Sequence, residues 1–76
     1  MDIQALRNEL DTFSTTQMLE YNADGTIFAL ILQVDGEKTQ EEIDAICDRH
    51  IISELPRRIP STLEANIYKV SYEAPQ

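Results

Sequence analysis

Apolar positions change period several times along the chain, and each change marks an element. Ile3, Leu6, Leu10 and Phe13 recur at spacings of three and four, with Gln4, Arg7, Asn8, Glu9 and Asp11 between them. That spacing predicts an amphipathic helix of about three turns, with Asp2 as its N-cap. Thr12, Ser14, Thr15 and Thr16 disfavour a helix interior, so the helix should stop near Thr12. Residues 15–21 read as a strand of mixed polarity. Asn22-Ala23-Asp24-Gly25 supplies turn chemistry, which predicts a hairpin into the next run.

From Thr26 to Val34 the chain is nearly continuous in apolar side chains, with Ile27, Ala29 and Ile31 on one side and Phe28, Leu30, Leu32 and Val34 on the other. A strand apolar on both faces needs cover on both, so this one is expected at the centre of the sheet. Asp35-Gly36 ends it. Thr39-Gln40-Glu41-Glu42 has the Thr-x-x-Glu spacing of a capping box, and a second helix follows. Ile43, Ile46, Cys47 and His50 or Ile51, with Leu55 at the end, form its inward stripe, and Glu41, Asp44, Asp48 and Arg49 are expected outward. Pro56 should end this helix. Arg57, Arg58, Ile59 and Pro60 then read as a rigid connection, and Leu63 to Glu73 as one last strand.

The predicted architecture is α+β: a single domain over residues 1–76, of order α-β-β-α-β, with a three-stranded mixed sheet packed by two helices. A strand-helix-strand connection normally leaves its strands parallel, so the third strand is expected parallel to the second and antiparallel to the first. Two helices on one face would leave the other bare. An uncovered apolar sheet face forgoes several kcal/mol at ~25 cal/mol per Å², comparable to the stability of a small domain. Either the helices divide between the faces or a partner covers one, which raises the expectation of a homodimer or a tight complex through the sheet.

Composition narrows the function. The chain has 76 residues, and one of this size buries only about 60% of its unfolded surface, so its stability margin is thin. A lone cysteine excludes an internal disulfide. No apolar run approaches the roughly 20 residues of a membrane span, and Met1-Asp2-Ile3 lacks the basic and apolar regions of a secretory leader, so a cytoplasmic protein without membrane contact is expected. The net charge of -8 argues against direct nucleic-acid binding, because phosphate contacts are made mainly by Lys and Arg.

The charge is also unevenly placed. Residues 35–54 hold seven acids against two bases, whereas residues 55–76 hold two acids against three bases. Asp35, Glu37, Glu41, Glu42, Asp44 and Asp48 would make a local negative field able to steer a basic partner, or to imitate the phosphates of a nucleic acid. Arg57 and Arg58, the only adjacent bases, could meet a partner carboxylate or instead neutralise the chain's own second helix. Cys47 and His50 stand three apart and could pair as an activated thiolate, or join Asp44 and Asp48 as metal ligands. Cys47 fits the apolar stripe equally well, and His50 suits a helix end. No Walker loop, dinucleotide fingerprint or nucleophile elbow occurs, so no cofactor is expected. The expected function is therefore a non-enzymatic interaction module, an inhibitor or regulator of a protein with a basic surface. A small structural subunit with incidental acidity, or a small enzyme around Cys47 and His50, are the alternatives.

Overall fold

Each helix is followed by a β-hairpin, and the two hairpins lie side by side as one antiparallel sheet. The computed structural model describes residues 2–74. Helix α1 spans Ile3–Leu10 and leads into strands β1 (Ser14–Tyr21) and β2 (Ile27–Val34). Helix α2 spans Gln40–Ile51 and leads into β3 (Arg57–Glu64) and β4 (Ile67–Glu73). The sheet order is β1-β2-β4-β3.

The expected caps are in place. Asp2 accepts from the Ala5 N–H at 3.1 Å, and Thr39 and Glu42 form the reciprocal capping box. The first hairpin turns through Gly25 at φ +87°, with the Thr26 N–H donating to Asp24 Oδ1 at 2.9 Å.

The three-stranded mixed sheet is corrected to four antiparallel strands. Arg57 to Pro60, expected as a connection, is the first half of β3, and the expected last strand is the end of β3, a turn, and β4. Ala65 and Asn66 make that turn with φ of 51° and 65°, and Glu64 pairs with Ile67 across it. Positive φ at both central residues is a type I′ turn, whose twist suits a two-residue hairpin. The expected parallel relation is overturned as well: β4, which holds Ile67, Tyr68, Val70 and Tyr72 of the expected last strand, runs antiparallel to β2, and the chain leaving α2 enters β3, which pairs with β4 and not with β2. The tyrosine-bearing strand β4 is central, between β2 and β3. Helix α2 also stops at Ile51, before the expected Pro56.

Both helices pack on one face. Leu6 and Leu10 of α1 and Ile43, Cys47 and Ile51 of α2 share one core with Leu30, Leu32 and Val34 of β2 and Tyr68, Val70 and Tyr72 of β4. The pairing Glu20↔Ala29 and Tyr21↔Ile27 skips Phe28, a β-bulge. The bulge shifts the alternation, so Ile27 is also buried although its parity on a regular strand would put it with Ala29 and Ile31.

Candidate functional site

Two regions hold the side chains with functional potential, one under α2 and one on the far side of the sheet. Under α2, Asp44 and Asp48 lie one turn apart at the margin of the apolar stripe. Tyr68 and Tyr72 of β4 point at them: the Tyr68 hydroxyl donates to Asp44, and the Tyr72 hydroxyl donates to Asp48 at 2.6 Å. Arg58 closes the cluster from β3, its Nε donating to Asp48 at 2.8 Å and its Nη1 lying 3.3 Å from Asp44. Asp44 is only 15% exposed at its side chain. The outward acidic face expected of α2 is therefore corrected at both residues. A buried phenol needs an acceptor, and carboxylates flanking the helix stripe supply it.

Cys47 sits in the core between these carboxylates. Burial first, and then Asp44 and Asp48, push its thiol up to about 12, against an opposing pull from Tyr68. Burial likewise raises Tyr68, reinforced by Cys47 and Asp44, and raises Tyr72, reinforced by its bond to Asp48. Near neutral pH these three groups remain protonated, so the cluster offers neither a thiolate nor a phenolate nucleophile.

Cys47 and His50 are not brought together. His50 Nε2 lies 2.7 Å from Glu9 Oε2 on α1, and Arg49 donates to the other oxygen of the same carboxylate. The Arg49 bond, then His50, holds Glu9 below the ordinary carboxylate range. No group of three His, Cys, Asp or Glu among the described residues is placed to hold a metal.

The remaining acids have separate surroundings. Asp35, Glu37 and Glu41 are exposed, and Glu42 is engaged in the capping box. Arg57 pairs with Glu73, its cross-strand neighbour, at 3.0 Å. Thus Asp35, Glu37, Glu41 and the capping Glu42 are what is left of the outward acidic patch, and Arg58 neutralises α2 from below.

The second region is the face of the sheet opposite the helices. Its register sets out two rows, Met18-Ile31-Lys69-Thr62 and Glu20-Ala29-Ser71-Ile59, read from β1 to β3. With Phe28 and Pro60, all of these except Ile59 line a shallow groove of about 460 Å³, and Ile59 stands beside it on β3. Met18 is 44% and Ile59 40% exposed, and Ile31 is half-buried. Sequence reasoning foresaw that two helices on one face would leave the other side of β2 bare, without fixing which side, and missed Met18, Ile59, Pro60 and Lys69 as members of the open face. Alternation in residues 67–73 carried the Lys69 signal, and reading Ile59-Pro60 as a connection hid the rest.

No protein-family model, no curated protein and no solved structure matches the chain. Among the described residues no helix is long and apolar enough to cross a membrane.

Proposed function

We propose that the protein is a non-enzymatic protein-interaction module that docks through the open face of its sheet. The observation that carries this reading is the apolar side chains of the face with no helix, exposed Met18 and Ile59 with half-buried Ile31 between them. Contiguous apolar surface of this kind marks interaction sites more often than isolated exposed residues do. The acidic residues that suggested a basic partner or nucleic-acid mimicry support that version less, because Asp44 and Asp48 already serve Tyr68, Tyr72 and Arg58. A buried, protonated Cys47 with no thiol partner suits the reducing cytoplasm, and we place the protein there.

The test compares two variants for retention of proteins from an extract of the native host. Met18→Glu combined with Ile59→Glu should abolish retention of a protein that the wild type holds, and Glu37→Lys combined with Glu41→Lys should leave it. The reverse pattern would move the function to the acidic loop and overturn the sheet reading.

A further inference from the structure

The two charged residues lining the groove have opposite sign and stand on opposite sides of its centre. Lys69 of β4 adjoins Ile31, and Glu20 of β1 adjoins Ala29, so the pair spans β2 diagonally. Both are exposed, and neither has an ion-pair partner among the described residues. A lysine covered by an apolar surface without a counter-charge is costly, so an occupant must supply a carboxylate near Lys69 and a cation near Glu20. A second copy of the same face supplies both.

Resting on the reading of the open face as the interaction surface, we infer that its occupant is a second copy of this chain, docked sheet to sheet about a two-fold axis passing near Ile31 and Ala29. That axis sets each Lys69 against Glu20 of the partner subunit and covers Met18, Ile31 and Ile59. An isologous interface requires such self-complementarity, each residue pair occurring twice.

Area and charge placement agree with this occupant. Four strands about 4.8 Å apart and roughly 20 Å long present on the order of 300–400 Å² in projection. Side-chain relief raises the accessible area, and the two faces together approach the ~1,000 Å² total that a specific interface needs. The concentrated acids of residues 35–48 lie in α2 and the loop leading to it, on the helical side, so this densest part of the negative charge on each subunit is held away from the contact. The sheet edges are less suited to pairing. Strand β1 carries a bulge at Gln17, and β3 an irregularity at Pro60-Ser61, where proline also removes an edge donor.

Sedimentation equilibrium at micromolar concentration tests the inference. The wild type is expected to be dimeric. Lys69→Glu alone and Glu20→Lys alone each place like charges together and should weaken the dimer by roughly 10-fold or more, whereas the double swap should return to within about threefold of the wild type. Far-UV circular dichroism checks that each variant stays folded. A wild type that remains monomeric overturns self-association, and so does a double swap no tighter than the single ones. A dimer indifferent to Met18→Glu and Ile59→Glu also overturns it. If the wild type is monomeric but still retains a host protein through Met18 and Ile59, the docking reading stands and only the second copy is removed.

Discussion

The two faces of the sheet are built from alternate residues of the same strands, yet they are different materials. On the helical side, Leu30, Leu32, Tyr68 and Tyr72 are at most 2% exposed, and the tyrosine hydroxyls are bound to α2 carboxylates. On the other side, Met18 and Ile59 remain in solvent beside Lys69 and Glu20. One residue step along β2, from Leu32 to Ile31, crosses from core to open face. The difference teaches that this chain commits its helices and their polar partners to the closed side and leaves the open side without cover among the described residues.

The closed side should fail first in base. Cys47, Tyr68 and Tyr72 all have raised pKa values in the fold, whereas the unfolded chain ionises its thiol near pH 9.0 and its phenols near pH 10.0. Their contribution to stability is complete below about pH 8 and declines as pH rises through the unfolded values toward the raised ones. Each proton held only by the folded state costs about 1.4 kcal/mol per pH unit, so three together exceed the margin of a small domain within roughly two units. In a Tyr21→Phe background, tyrosinate absorbance should appear cooperatively with loss of circular dichroism above pH 10. A gradual phenol titration of a still-folded protein would contradict the closed packing.

Adjacent residues on β2 give the sharpest contrast. Leu32→Ala removes a fully buried side chain and should cost ~2–5 kcal/mol, leaving the domain largely unfolded. Ile31→Ala should cost under about 1 kcal/mol in urea unfolding at a concentration where the chain is monomeric. Comparable losses would mean that the open face is packed within the monomer.

Within the closed side, Arg58 joins the two carboxylates, and Arg58→Met strands both beside the tyrosines. Because Arg58 and Asp48 remain about one third exposed, the loss should be about 1–2 kcal/mol rather than that of a fully buried pair. Thermal melts of Arg58→Met and Tyr72→Phe, singly and combined, should show less than additive losses. The opposite sign is expected at Thr16, which faces the helical side opposite Leu32. Its Oγ1 is buried without a hydrogen-bond partner. Thr16→Val should stabilise by about 1 kcal/mol in the same measurement.

Much of this organisation was legible. Ile3, Leu6 and Leu10 announced α1, Thr39 and Glu42 announced the start of α2, and Asp24-Gly25 announced the first hairpin. Local spacing and caps encode those elements. The position of Asp44 and Asp48 was not legible, because a residue at the boundary of a helix stripe turns in or out according to what it meets, here the tips of Tyr68 and Tyr72. The open face was half legible: the double-sided apolar run of β2 required cover, but its neighbours Ile59 and Lys69 depended on finding β3.

Strand β3 was missed because Ala65-Asn66 lacks the glycine that usually marks a type I′ turn. Ala65 nonetheless holds φ 51°, a left-handed conformation that costs an L-residue with a Cβ on the order of 1 kcal/mol. Asn66 at φ 65° tolerates it better. Ala65→Asn combined with Asn66→Gly gives the turn the Asn-Gly pair it favours, and should raise stability by roughly 0.5–1 kcal/mol in urea unfolding, the smallest of these effects. The turn lies at the end of the β3-β4 hairpin and touches neither Tyr68-Asp44 nor the Lys69-Glu20 diagonal. The gain should appear unchanged in the Met18→Glu, Ile59→Glu background, since the turn supports both faces equally. A gain that depended on those substitutions would show that the hairpin tip, and not only the sheet face, takes part in the docking surface.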